Sequence, residues 1–328
     1  MAPGLYWYHA HMHHHAEAQV FGGLSGMIVV EGLQALLPAH LRDAPERLIA
    51  LRDIQVADGA IKSAGIDPAD GTRLVNDLLR PRMTIRPGQT QLWRIANVGA
   101  NLFYKLRLEG HTFRLVAEDG HPIATSSSLQ TLLLAPGKRF EVLVTGAKVG
   151  SYDLVTEVFD GGERPSRRVL ATLRSTGTPM QREALPTRIA DVEDLSGLPV
   201  PNSRRRSFTF DTDASGRFLI NGKTFSPSRI DTRAQLGTVQ EWTLNNGTPD
   251  PHPFHLHTYP FQVVSIGFDR FEDENARARQ DTVVVPPAGS GSVVIRVPFE
   301  DFAGTTVFHC HILAHEDAGM MATLKVEP

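Results

Sequence analysis

Apolar residues along this chain come in short runs rich in Val, Ile, Leu and aromatics, closed by Gly, Pro, Asn or Asp. Within the runs apolar and polar positions alternate, as in Lys105-Leu106-Arg107-Leu108-Glu109 and Arg139-Phe140-Glu141-Val142-Leu143-Val144. A period of two marks strands with one face buried. The pattern predicts strands at 92–96, 104–108, 131–134, 140–144, 207–211, 239–244, 261–266, 282–285 and 292–297. Helical periodicity is weak throughout, and no run nears the ~18 apolar residues of a membrane helix. The chain reads as all-β, in sandwich-sized units, with no membrane span expected.

The pattern also repeats, and repeats define units. Gln91-Leu92-Trp93-Arg94-Ile95-Ala96-Asn97 echoes Gln240-Glu241-Trp242-Thr243-Leu244-Asn245-Asn246, which sets Leu106 and Leu108 on His255 and His257. Gly4-x-x-x-Tyr8-His9-Ala10-His11 overlays Gly304-x-x-x-Phe308-His309-Cys310-His311 at an offset of 300. A Gly-Met pair follows each, Gly26-Met27 and Gly319-Met320, and then a closing strand. A middle version, Gly150-Ser151-Tyr152-Asp153-Leu154-Val155, carries no histidine. One domain ending thus occurs three times. The expected organisation is a C-terminal remnant of a first domain at 1–32, a complete second domain at 33–176, a linker at 177–206 and a third domain at 207–328. The linker rests on Pro179, Pro186, Pro199, Pro201 and Arg204-Arg205-Arg206, read as a solvated approach to a strand. The apolar stretch 27–30, having no sheet of its own to pair with, is expected to leave an exposed apolar face.

Composition narrows the functions. With 41% hydrophobic and 21% charged residues the chain is an ordinary globular one, and its net charge of −3 offers no basic field for nucleic acid. One cysteine excludes an intrachain disulfide framework and any CxxC motif. Against that stand 14 histidines, five between His9 and His15 and six between His252 and His315.

Their spacing points to copper. In His309-Cys310-His311-Ile312-Leu313-Ala314-His315-Glu316-Asp317-Ala318-Gly319-Met320, a thiolate is followed by an imidazole five residues on and a thioether five beyond that. Two histidines and a cysteine with a weak axial methionine form the donor set of a blue-copper electron-transfer site. The missing second histidine can come from His252 in His252-Pro253-Phe254-His255-Leu256-His257. Successive side chains on a strand point to opposite faces, so with Cys310 facing that copper, His309 and His311 face away from it. His255 with His257, and His9 with His11, likewise share faces. Six imidazoles from two domains are then able to converge on one multi-copper cluster linked to the blue site through Cys310.

These motifs resemble those of the multicopper oxidases of the three-domain bacterial laccase and cuprous-oxidase type. Tyr6-Trp7-Tyr8-His9-Ala10-His11, with Gln19 and Gly23-Leu24-Ser25-Gly26, is similar to the motif ending their first domain, and the His252–His257 and His-Cys-His segments to their third-domain motifs. The resemblance implies tandem cupredoxin-like (plastocyanin-like) Greek-key sandwiches and four coppers per chain, of types 1, 2 and 3. It implies His252, Cys310, His315 and axial Met320 at type 1, with Met321 the other methionine at hand. It implies His255 at type 2, His11, His257 and His309 at one type 3 copper, and His9 with His311 at the other. It further implies another His-x-His, usually followed by Gly, early in the first domain, and none stands ahead of His9-Ala10-His11. The expectation is an N-terminally truncated sequence lacking a signal peptide and on the order of 100 residues of domain one. The other option is a short form that borrows ligands from a partner subunit.

The function expected is one-electron oxidation of phenolic, aromatic or metal-ion reductants coupled to four-electron reduction of O₂ to water. Glu316 is the candidate catalytic proton carrier, and Asp250 a candidate contact for the reductant. The alternative is a copper-binding electron-transfer or copper-storage protein with a blue site and a defective cluster. Seven methionines and no Met-rich insertion favour laccase-like breadth over a dedicated cuprous oxidase. The family implies a periplasmic or secreted protein. His13, His14 and His15 read as a surface run, His40, His111 and His121 as structural, and Trp93 and Trp242 as core.

Overall fold

The computed structural model describes residues 1–62, 71–159, 167–267 and 278–328. The chain forms two compact units, Met1–Ala10 with Ala18–Val192, and His11–Glu17 with Glu193–Pro328. The second part of 177–206 starts the second unit, and strand structure resumes at Arg205–Thr212 after a short 3-10 turn at Asn202–Arg204.

Each unit contains a five-stranded sheet of one common order. In the first unit it runs Leu132–Leu134, Tyr104–Leu108, Gly150–Glu157, Arg168–Ser175, Arg82–Ile85. In the second it runs Thr282–Val285, His252–Leu256, Gly304–Cys310, Met321–Glu327, Thr232–Gln235. Both end on a parallel pair, the other pairings being antiparallel. The second sheets also correspond: Phe113–Glu118, Arg139–Thr145, Thr90–Asn97, Glu46–Ile54, Thr72–Val75 against Gln262–Ile266, Val293–Phe299, Thr238–Asn246, Arg205–Thr212, Phe218–Ile220. This is the tandem Greek-key sandwich that the family resemblance implies, and every strand that the alternation predicts is present within two residues at its start and end.

Trp93 and Trp242 are fully buried at matching places, and each indole N–H donates to a glutamine two residues earlier, Gln91 at 3.0 Å and Gln240 at 2.9 Å. Both are core, with the one polar atom satisfied. In the second unit the core gathers Trp242, Phe254, Phe308, Val283 and Ile295, and it includes Cys310 and Met320.

The hairpin Gly4–His9 (β1) with Ser25–Val30 (β2) forms a two-stranded sheet. The expected exposed apolar face at 27–30 is not what forms. Met27 and Val29 pack with Leu5 against Ala96 and Val98, because alternation turns them to the neighbouring sheet. Of the four, Ile28 is exposed. Side chains also reach the hairpin's backbone: Leu5 N–H donates to Glu141 Oε2 at 2.9 Å, and Arg139 Nε donates to Leu5 O at 3.3 Å.

The register settles how the two chain ends compare. Gly4 pairs with Val30 and His9 with Ser25, as Gly304 pairs with Val326 and His309 with Met321. The turns close alike. Ala10 N–H donates to Leu24 O, Leu24 N–H to Gln19 O and Gly23 N–H to Val20 O; at the other end Cys310 bonds Met320, Met320 bonds His315 and Gly319 bonds Glu316. Gly23 and Gly319 both take φ near +105°, at +102° and +108°, a conformation open to glycine. Gly319-Met320 therefore corresponds to Gly23-Leu24, not to Gly26-Met27. The first turn is four residues longer, and the extra length falls between His11 and Gln19.

Candidate metal centre

The second unit brings Cys310 to the end of Gly304–Cys310, directly opposite Phe254 of the adjacent strand. His252, two residues before Phe254 on the same strand, shares its face. His315 follows on the five-residue helix Leu313–Asp317 (α2). Cys310 Sγ lies 3.4 Å from His252 Nδ1 and 3.7 Å from His315 Nδ1, and the two nitrogens are 3.2 Å apart. His252, Cys310 and His315 could hold one metal ion. Met320 is fully buried beside them in sequence, its N–H bonded to His315 O at 2.9 Å and its O to Cys310 N–H at 3.1 Å.

Second contacts fix which imidazole nitrogen is offered. His252 Nε2–H donates to Thr248 Oγ1 at 2.7 Å, which leaves Nδ1 bare toward the thiol. Thr248 is held in turn by Asn246, whose Oδ1 accepts the Thr248 N–H and hydroxyl, both at 2.8 Å. Phenyl rings lie flat on both histidines, Phe210 on His252 and Phe218 on His315 at 4.1 Å. Burial, with His315 adjacent, holds His252 down at about 3. Burial holds His315 at about 4 and pushes the Cys310 thiol well up. Neutral imidazoles are the ligand form, and a buried thiol reaches its thiolate most readily by giving its proton up to a bound metal. One thiol, two aimed Nδ1 atoms and a buried thioether fit copper.

On the opposite face of the same sheet lies the second set. His309 stands directly across from His255. His11 Nε2 is 3.2 Å from His257 Nε2 and 3.3 Å from His309 Nε2, and His257 and His309 are 3.0 Å apart at Nε2. These three could hold a metal ion. His255 and His311 flank them, with ring centroids 5.1 Å apart and 5.4 and 5.3 Å from His309. His309 Nδ1–H donates to Cys310 O at 2.9 Å, and His255 Nδ1 faces Asp281 O at 2.9 Å, so their Nε2 atoms are presented. His9 ends β1 in the first unit, stacked on Trp7 at 4.4 Å, with its Nδ1–H donating to Ala10 O at 2.9 Å, as in His309.

Glu316 is buried, Oε2 3.1 Å from His309 Nδ1 and Oε1 3.4 Å from His11 Nδ1. Burial, then Asp317, raises its carboxyl to about 8. His11 and His309 are both lowered, mainly by burial. Asp250 is exposed, and its carbonyl accepts from Asn246 Nδ2 at 2.7 Å. His13, His14 and His15 are exposed; His13 packs edge-on against Phe225. His111 has both ring nitrogens in contacts, with Glu109 O and Ala147 N–H, in keeping with a structural place.

Residues that sequence reasoning missed support this centre from outside it. Asn246 has a signal, the echo with Asn97, whose amide likewise braces its own loop through Leu102 O and Gly99 N–H. Thr248 and Asp281 have none.

Comparison with known proteins agrees with the geometry. Family models described as multicopper oxidase match residues 53–177 and 199–328. The chain belongs to the multicopper oxidase family, a class of copper-dependent oxidases. It is 28% identical to the multicopper oxidase mco of Staphylococcus aureus, over 98% of this chain and 67% of that protein. It is 27% identical to the cell division protein FtsP of Escherichia coli, over 98% of this chain and 70% of that protein. The solved multicopper oxidase of Campylobacter jejuni, titled a metallo-oxidase, superposes with a TM-score of 0.84 at 27% identity, covering all of this chain and 72% of that one. The cupredoxin-like fold is thus shared, and the chain spans about two thirds of the length of these relatives.

Proposed function

We propose that this protein takes electrons singly from a phenolic, aromatic or metal-ion reductant at His252, Cys310 and His315 and delivers them to a histidine cluster where O₂ is reduced to water. The observation that carries this reading is the placement of Cys310: its thiol meets His252 and His315 on one face, and its neighbours His309 and His311 turn to the other. Copper bound at the two sets supplies one-electron redox chemistry at the first and multi-electron chemistry at the second. His252, Cys310, His315 and Met320 form the type 1 set; His255, with His11, His257, His309 and His311, forms the type 2 and type 3 set, to which His9 is assigned by the family resemblance alone. The backbone from Cys310 to either histidine is a short covalent path between them. Phe210 and Phe218 exclude water from the first set and keep its imidazoles neutral. Glu316 carries protons to the second: its carboxyl stands beside Nδ1 of His309 and His11, where reduction of O₂ consumes them.

The division into 1–32, 33–176, 177–206 and 207–328, and a periplasmic or secreted location, belong to the same proposal and rest on the family. The second reading is a copper-binding electron carrier or copper store. What supports it is the likeness to FtsP, a relative whose name states cell division and no oxidase. Oxygen uptake per bound copper with a phenolic donor separates the two. Sustained uptake, lost with Glu316→Gln more than copper is lost, supports the oxidase; copper loading with no uptake supports the carrier.

A further inference from the structure

Asp317, the last residue of α2, receives three hydrogen bonds from one segment of the second unit. Its Oδ1 accepts Ala16 N–H at 3.1 Å, its Oδ2 accepts Glu17 N–H at 2.9 Å, and its main-chain carbonyl accepts His14 Nδ1–H at 2.7 Å. Ala16–Phe21 is the helix α1, so the carboxylate meets the first donors of that helix, which its own ladder leaves unused. His14 itself holds φ at +67°, a left-handed conformation that a side-chain tie helps to maintain.

The turn itself does not need this acid. By the matched backbone bonds, Gln19, Val20, Gly23 and Leu24 stand for His315, Glu316, Gly319 and Met320, which sets Phe21 on Asp317. Phe21 is 1% exposed, and the same turn closes around it with no carboxylate. What distinguishes the second copy is the segment facing it, which carries His11 at one end and the three bonded residues three to six positions on. The extra four residues of the first turn fall in this segment, where added length needs an added constraint to hold a ligand still.

We propose that Asp317 is a positioning residue for the histidine cluster, fastening residues 14–17 through its carboxylate and carbonyl and thereby fixing His11 against His257 and His309; this rests on reading those three as a copper site. Glu316 faces the ring of His11, and Asp317 holds the backbone five and six positions further on. One short helix thus sets both the environment and the place of one imidazole.

Two measurements on the full chain test this. In amide hydrogen exchange without added metal, Asp317→Ala is expected to speed exchange at Ala16 and Glu17 about tenfold or more, with 304–310 and 321–327 unchanged. Asp317→Asn, keeping one acceptor oxygen, falls between. In titration with Cu(II) alone, Asp317→Ala keeps the blue absorption of the Cys310 set and weakens the remaining copper by about tenfold. Wild-type exchange at Ala16 and Glu17 in Asp317→Ala overturns the proposal. Acceleration spread equally over 304–327 overturns it too, as loss of fold. A wild-type chain that takes copper only at Cys310 overturns the copper reading of His11, His257 and His309, while the exchange measurement still decides whether Asp317 fixes the segment.

Discussion

Ala10 and Cys310 hold the same place in two copies of one hairpin, each donating its N–H at 3.1 Å to the residue after a left-handed glycine, Leu24 in one copy and Met320 in the other. The first copy therefore has Ala10, Gln19 and Leu24 where the second has Cys310, His315 and Met320. The donors proposed to hold a blue copper are thus present in one copy and absent from the other, on matched strand and turn positions.

Met320 is fully buried, and leucine is close to methionine in volume, a swap that cores usually tolerate. Met320→Leu is expected to fold and stay blue, with a raised type 1 reduction potential, since the lost thioether donates to the oxidised metal. Redox titration against the wild type checks it. An unchanged potential would assign the axial place elsewhere, with Met321 next in line.

Thr248→Val removes the acceptor that holds His252 Nε2–H and keeps the side-chain shape. Copper affinity at the Cys310 set should fall about 10–100-fold. Competition with a chelator of known affinity reads this, and unchanged affinity would show that Phe210 alone orients His252.

Without metal, pH should act on stability in two opposite ways. His252 at about 3 and His315 at about 4 stay neutral in the fold while the unfolded chain takes up protons below about 6.5. Each therefore contributes stability that is present above pH about 6.5 and lost as pH falls, about 1.4 kcal/mol per pH unit. Glu316, raised to about 8, works the other way: its contribution is present below the unfolded carboxyl value and lost as pH rises through about 8. In urea unfolding, His252→Asn should flatten the acid limb between pH about 6 and 4, and Glu316→Gln should raise stability most at alkaline pH. Parallel curves for variant and wild type would contradict this.

Much of the centre was legible because its ligands are local. Cys310, His315 and Met320 lie on one strand, one turn and one short helix, so spacing reports them directly, and strand alternation separates His252 from His255 and His257. The matching of Gly26-Met27 with Gly319-Met320 failed because a string of letters does not record turn length; only the pairing of Gly4 with Val30 shows it. Burial at Met27 and Val29 was hidden for a related reason, since an alternating strand does not name what it packs on. Thr248 lies in Asn245-Asn246-Gly247-Thr248, which reads as a turn. Asp317 acts on main-chain N–H groups some 300 positions away, and backbone donors leave no mark in composition.

The visible spectrum of the copper-loaded chain beside Cys310→Ser tests the central claim most directly. The thiolate is the charge-transfer donor of a blue site, so the wild type should be blue and the variant colourless, folded, and short of about one copper per chain. Equal visible absorption in the two proteins would contradict the assignment of Cys310 and with it the link between the two sets.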